Sequence, residues 1–566
     1  MQKLFKNYFL CILTSLSVTT NAQPIFQWAG GFGGIYDEYP GEITVDDNGN
    51  VYNTGGFDFI ADFDPGPGVV NLSSTGSIGI YVTKLDSSGN LVWARYMGGK
   101  DYDWGNSVRV DTYGNVYIIG VFRGTSDFDP GAGYFNLTSR GDFDIFICKL
   151  DKDGNFIWAN QIGSAEWDEG NSIELDCLGN IVVTGYFQGT ADFDPGPDTF
   201  LMTSEGINDI FVSKWDSSGK FIWTKQIGGP NREVGYSLAI DPNCNVYVTG
   251  QFMDKTNFNP GTDGFIFDSP SGPNSFICKF DRDGDFKWVK QIGEGSNCQG
   301  SSISIDKAGN IYSTGALFNK PGDFDPGPGI YELTPVHFWD AFISKLDPSG
   351  NFLWAKLIGG EENDWGKSIA IDIYGCVYYS GIFNEIVDFD PGDGVMNLSA
   401  LGNNDAFISK LDAKGNFEWV QKFGSSQWDN CCSLVVDKKG FIYATGEYMG
   451  MVDFNTGTED YILNAKRVDI YVLKQSQSDF GKDRFFSNRL FNLYPNPTDR
   501  TITILFDKEF EDVEISTYDI TGKIIAITNF ENQQSIELEI VGLPGVYLLK
   551  IQASMEKPEF VKVIKY

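Results

Sequence analysis

Seven tryptophans set a ruler along this chain: Trp28, Trp93, Trp158, Trp223, Trp288, Trp354 and Trp419 stand 65 residues apart, with one interval of 66. A fixed period of this kind predicts a repeat protein, whose units cannot bury their faces alone and must pack on their neighbours. The third unit shows the common landmarks: Ser172-Ile173-Glu174-Leu175-Asp176, Gly179-Asn180-Ile181-Val182-Val183-Thr184-Gly185, Asp192-Phe193-Asp194-Pro195-Gly196, Asp209-Ile210-Phe211-Val212-Ser213-Lys214 and Phe221-Ile222-Trp223. Alternating or β-branched runs, cut by Gly, Asn and Asp, predict four strands per unit. Two of the turns carry a mechanism. Asp-x-x-Gly-Asn places Gly where a hairpin needs positive φ and Asp where a side chain can bond its own turn; it recurs at Asp46 to Asn50 and at Asp86 to Asn90.

The termini decide between a closed ring and an open stack. The seventh unit runs through Asp469-Ile470-Tyr471-Val472-Leu473-Lys474 and gives way to Gln475-Ser476-Gln477-Ser478, without a fourth strand. That strand stands at the other end of the chain, as Ile25-Phe26-Gln27-Trp28-Ala29-Gly30. Closing the ring with it removes exposed sheet edges. The expected fold is all-β: a seven-bladed β-propeller of four-stranded blades over residues 23–474, its ring closed by the N-terminal strand. Ahead of it, Lys3 and Lys6, a mostly apolar run from Tyr8 to Val18 and the small Ala22 describe a cleavable secretory signal over residues 1–22. That run is too short for a membrane anchor, and no later segment is long and apolar enough to form a transmembrane span.

The repeated run Gly-Asn-Val-Tyr-x-x-Gly, followed by Asp-x-Phe-x-x-Lys-Leu-Asp-x-x-Gly-Asn-x-x-Trp, resembles the bacterial β-propeller repeats known as SBBP repeats, over roughly Gln23 to Lys474. The resemblance implies architecture and no particular activity. After Lys474 the period stops, and residues 475–490 are polar and read as a linker. Residues 491–566 open a second module with strand-like runs at Thr501 to Phe506, Val513 to Tyr518, Lys523 to Thr528, Ser535 to Ile540, Gly545 to Ala553 and Phe560 to Ile564, which predict a small β-sandwich. Its motifs, Tyr494-Pro495-Asn496-Pro497, Tyr518-Asp519-Ile520-Thr521-Gly522-Lys523, Leu543-Pro544-Gly545-Val546-Tyr547-Leu548-Leu549-Lys550 and Val561-Lys562-Val563-Ile564-Lys565, resemble the C-terminal sorting domain of the type IX (Por) secretion system of Bacteroidetes. That resemblance implies the outer-membrane export machinery as a partner and a secreted or outer cell-surface protein, reached via the periplasm.

With 76 acidic against 42 basic residues the chain carries a formal charge of −34, which excludes nucleic acid as a partner and leaves cations, neutral glycans and proteins. A single histidine, His337, argues against a serine-type triad and excludes a three-histidine metal site within the chain. Of nine cysteines, Cys11 leaves with the signal, and the rest show no CxxC spacing and no repeat-wide pairing, so their connectivity stays open.

Carboxylates carry the remaining chemistry. Four residues before the serine of a first strand stand Asp103, Asp168, Glu233, Cys298, Asp364 and Asp429, with Glu38 equivalent in the first unit. On a propeller these positions share a face with the loops after the second strands, so an acidic, ligand-binding face is expected there, with Trp104, Trp167, Trp365 and Trp428 beside the ring. The loops themselves contribute Asp62 and Asp64, Asp127 and Asp129, Asp192 and Asp194, Asp323 and Asp325, and Asp388 and Asp390. Calcium is the cation such loops would take, and no other cofactor is expected. Asn257-Phe258-Asn259 and Asn455 keep the loop's shape without its charge, which favours architecture over metal binding. No acid stands out from its copies, so the expected function is a binding or display scaffold rather than an enzyme. The alternative is a polysaccharide hydrolase or lyase using paired acids such as Asp103 and Asp168.

Overall fold

The computed structural model describes residues 23–259, 264–457, 459–477, 491–494, 501–519, 523–553 and 559–565. The expected signal segment and most of the expected linker lie outside them. Every regular element among the described residues is a β-strand, and the strands form antiparallel sheets. The third unit is a sheet in the order Glu169–Leu175, Ile181–Phe187, Asp209–Trp215, Phe221–Ile227, and the same order of four strands recurs along the chain. The Asp-x-x-Gly-Asn turns form as expected: Asp46 Oδ1 accepts from the Asn48 and Asn50 amides at 2.9 Å each, and Gly49 has φ +84°.

The seventh unit contributes Ser433–Val436, Ile442–Asp453 and Ile462–Ser476. Its fourth place is taken by Ile25–Gly34, antiparallel to Ile462–Ser476, with Trp28 opposite Lys474 and Phe32 opposite Ile470. The strand persists to Ser476, two residues past the expected boundary, and Gln477 is then held by Lys410, Tyr378 and the Gly440 carbonyl.

The apolar cores lie between units rather than within them. One cluster joins Tyr52, Ile80 and Val82 to Val116, Phe128 and Phe146, and another joins Tyr443, Ile470 and Val472 of the seventh unit to Val51, Phe57 and Phe63 of the first. The ruler tryptophans and the repeated lysine act across the same junctions. Trp93 Nε1 donates to the Lys152 carbonyl at 3.2 Å, and Lys149 Nζ to that of Ser217 at 3.0 Å, each reaching the last turn of the next unit. From the seventh sheet, Trp28 and Lys474 both reach the Ser87 carbonyl of the first unit. A disulfide, Cys177–Cys244, ties the first turns of the third and fourth units.

The C-terminal module is one five-stranded sheet rather than two separate ones. Two long strands, Thr501–Tyr518 and Ile524–Glu539, replace four expected short ones. Their pairing breaks register between Leu505 and Phe510, and one core still gathers Ile502 and Ile504 from one side of the break with Ile515, Leu549 and Val563.

Candidate functional site

The opening acids do not face solvent. Glu38, Asp103, Asp168, Glu233, Asp364 and Asp429 are all buried, at 0–1% exposure, which corrects the expected exposed acidic face. The reason is a backbone clip. Asp103 Oδ2 accepts from the Gly99 amide at 2.6 Å, and its Oδ1 from the Arg123 amide and the Ser126 hydroxyl. Asp168 holds the Ser164 and Gln188 amides, Asp364 those of Gly360 and Asn384, and Asp429 those of Ser425 and Met449. Glu233 takes the Gly229 amide and the Thr256 hydroxyl. Each acid thus fastens the crossing from one unit to the next to the second strand of its own unit. Cys298, the exception in sequence, is equally buried.

A second set of buried acids, at the start of the third strands, meets this one. Asp144, Asp209, Asp340, Asp405 and Asp469 press against the glycine ending the fourth strand of the same sheet; a Cβ on Gly359 would lie 2.2 Å from the Asp340 carboxyl carbon. Burial pushes Asp340 up to about 7. Burial, with the Asp340 charge beside it, pushes Asp364 up to about 8. Asp168 rises to about 7 from burial with Asp144 nearby, and Glu233 to about 8 from burial with Asp209 nearby. Carboxyl pairs therefore sit at unit junctions in a dry environment that disfavours their ionised forms.

The Asp-Phe-Asp-Pro-Gly loops use their acids as turn caps. Asp62 Oδ1 accepts from the Asp64 and Val70 amides, and Asp64 Oδ1 from that of Gly66. The same bonds recur at Asp127 and Asp129, Asp192 and Asp194, Asp323 and Asp325, and Asp388 and Asp390. The loops' phenylalanines are fully buried. Among the described residues no three acidic, histidine or cysteine side chains form a metal-holding group.

The four tryptophans divide. Trp167 is 42% exposed and packs on Phe143, with ring centroids 4.9 Å apart, and Trp428 is half-buried where its backbone bridges to Asn404. Trp104 lines a chamber of about 450 Å³ that receives residues from the first strand of every unit, among them Pro40, Asn171, Tyr236, Gln299, Lys367 and Asn430. Trp365 stands behind Lys367, whose Nζ lies 4.4 Å over its ring; burial lowers the affinity of that amine for its proton.

A collar of serine hydroxyls floors the chamber. Ser107, Ser172, Ser237, Ser302, Ser368 and Ser433 each accept the amide of the next first strand at 3.1–3.3 Å, ending with Ser433 on Ile43 of the first unit. Below the collar a second chamber, about 500 Å³, holds Arg109 between Glu42 and Glu174, at 2.7 and 2.6 Å. The chamber was not singled out from sequence. Its signal is that the residue three places after each opening position loses repeat identity: Gly41, Asn106, Asn171, Tyr236, Ser301, Lys367 and Cys432.

Of the sorting residues, Pro495, Asn496, Pro497 and Gly522 lie outside the described residues, and Tyr494 and Lys562 are placed only as members of strands. Lys523 closes a turn on Asp519. Tyr547 donates to the Leu543 carbonyl just before Gly545, and Lys565 Nζ to those of Ile540 and Gly542, so the last strand is pinned over the Leu543 to Gly545 turn.

Residues 492–565 match the family of the secretion system C-terminal sorting domain, and residues 92–121, 222–251 and 287–316 match the β-propeller repeat known as SBBP. The chain therefore carries SBBP β-propeller repeats and a Por-type sorting domain, which implies secretion or cell-surface localisation. It is 24% identical over 542 residues to an uncharacterized WD repeat-containing protein of Acanthamoeba polyphaga mimivirus (79% of this chain, 38% of that protein), and 26% identical over 172 residues to the regulatory protein FlaEY of Caulobacter vibrioides (30% and 17%). The chain thus spans well under half the length of either relative. Among solved structures, it is similar to an apocarotenoid oxygenase chimera (13% identity, TM-score 0.33, 80% of this chain and 94% of that one) and to a Synechocystis apocarotenoid oxygenase mutant (13%, 0.32, 92% and 98%). No helix among the described residues is long and apolar enough to cross a membrane.

Proposed function

We propose that this chain is a seven-bladed β-propeller, closed by its N-terminal strand, that is exported by the type IX machinery through its sorting domain and serves outside the cell as a binding scaffold. Closure is supported by the pairing of Ile25–Gly34 with Ile462–Ser476 and by the Ser433 to Ile43 bond that returns the collar to the first unit. The observation that carries the binding role is the chamber above that collar. Repeated residues are consumed by architecture, as clips, caps and clamps, whereas the chamber wall is where the seven units differ, in aromatic, amide and amine side chains. Pockets that combine apolar walls with a few convergent polar groups are where ligands bind. Asp103 and Asp168 are committed to backbone amides, which supports a binder over a glycan-cleaving enzyme. The ligand classes this reading holds open are glycans and proteins. Its test is retention of the secreted full chain on immobilised extracellular polysaccharide and protein fractions, compared with a Trp104→Ala, Lys367→Met variant. Retention that falls at least tenfold in the variant supports the chamber; equal retention moves the site elsewhere.

A further inference from the structure

One side chain on the chamber wall has its chemistry unspent. Of the seven residues three places after the opening positions, Lys367 alone carries an amine. Among the described residues it makes no hydrogen bond and no ion pair, and its Nζ lies over the Trp365 ring. That ring is held from two sides: Trp339 stacks on it at 5.0 Å, and the Ser301 hydroxyl accepts from its Nε1 at 3.0 Å. The repeated lysines of the third strands differ, since Lys149, Lys214 and Lys345 spend their amines on carbonyls of the next unit.

The groups facing Lys367 do not neutralise it by contact. The charges acting on it are those of Cys432 and Glu447. Burial holds Cys432 as a thiol, and its Sγ accepts from Asn430 Nδ2 at 3.2 Å. Burial also pushes Glu447 up to about 7, so near neutral pH part of it is uncharged. Glu42, the acid on the chamber wall, is engaged by Arg109 and by the Ser107 hydroxyl. Burial outweighs these charges and lowers the affinity of Lys367 for its proton. A desolvated lysine without a contacting counter-ion is a nucleophile. On the same wall, Asn430 Oδ1 lacks a partner and offers an acceptor to a ligand hydroxyl.

We propose, on the reading that the chamber is the binding site, that Lys367 captures its ligand covalently as a Schiff base with a neutral aldehyde, free or as the open-chain form of a reducing sugar. The Nζ lone pair adds to the carbonyl carbon while the C=O π pair moves to oxygen. The carbinolamine so formed loses that oxygen as water, with both amine hydrogens, and leaves C=N. No oxidant or reductant is consumed. The protonated imine stays a cation over the Trp365 face, which favours it.

The test is trapping on the wild-type full chain. Glycolaldehyde, or in a parallel arm glucose, is added near neutral pH with cyanoborohydride, which reduces an imine to a stable secondary amine, and peptides are mapped by mass spectrometry. Near neutral pH each tenfold fall in proton affinity yields about tenfold more free amine. Lys367 is therefore expected to take up glycolaldehyde about tenfold faster than Lys438, whose side chain is 78% exposed. Unfolding in guanidinium chloride should erase the difference. A glucose adduct as well as a glycolaldehyde adduct extends the ligand class to reducing sugars; the glycolaldehyde adduct alone confines it to free aldehydes. Labelling of Lys367 no faster than that of Lys438, or a preference that survives unfolding, overturns the proposal. Retention that falls in Trp104→Ala, Lys367→Met while Lys367 stays unlabelled would keep the chamber as a binding site and refute only the covalent step.

Discussion

Raising the pH from 5 to 8 should loosen the unit junctions, and Asp340→Asn should remove one unit's share of that loss. Asp340 is 1% exposed and its Oδ1 has no partner, while Oδ2 accepts the Val336 amide at 2.9 Å. Burial raises its folded value to about 7, against about 3.9 for an unfolded aspartate. The folded state therefore binds more protons than the unfolded state between these values. Stability from this group is fully present below about pH 4 and is lost as pH rises to about 7, beyond which little more is lost. From pH 5 to 8 the loss is about two pH units' worth, or roughly 2.5 kcal/mol. For some 450 ordered residues the unfolding entropy is roughly 0.9 kcal/mol/K, so this corresponds to a fall of about 3 °C in Tm. An asparagine keeps an oxygen for the Val336 amide and offers Asp364 a donor, without a charge to desolvate. Differential scanning calorimetry of the full chain at both pH values reads the effect. The variant should gain about 3 °C on the wild type between pH 5 and pH 8; a difference in Tm that is the same at both values refutes the reasoning.

The Cys177–Cys244 disulfide closes a loop with a sequence separation of 67, so Cys177→Ser should cost about 2–4 kcal/mol and lower Tm by roughly 3 °C. A reductant should lower the wild type by the same amount and leave the variant unmoved. Arg109→Met should destabilise by about 3–5 kcal/mol, because it leaves Glu42 and Glu174 facing each other below the collar without their cation. A double change to Glu42→Gln and Glu174→Gln in that background should recover most of the loss in chemical denaturation.

Much of the fold was legible because the repeat multiplies each weak local signal by seven. One Asp-x-x-Gly-Asn is an ordinary turn; its regular return, with a fourth strand missing at one end and present at the other, implied the pairing of Trp28 with Lys474 that the structure shows. The C-terminal strands merged because nothing in Asp507 to Glu511 marks a turn strongly enough to end the strand, and the chain crosses this stretch by a break in register between Leu505 and Phe510 instead. The direction in which a repeated residue points was not legible. Asp103 or Asp168 reads alike on a solvent face or under a clip, and only the neighbouring amides decide it. The disulfide was hidden for a related reason: Cys177 and Cys244 belong to different units, and their turns meet only once the units are stacked.

Departures from the period then become the informative residues. A side chain present in every unit must satisfy seven equivalent surroundings, so its role is set by what those surroundings share, which is backbone and neighbouring sheet. A ligand breaks that equivalence. It touches the units from one orientation and asks something different of each, and so the residues serving it are free to diverge while the clips around them are not. Asn171, Tyr236, Lys367 and Cys432 diverge three residues after clipped acids, on the first strands or beside them. A scaffold of this kind can change its ligand without changing its junctions, because the two tasks fall to alternate residues of the same strand.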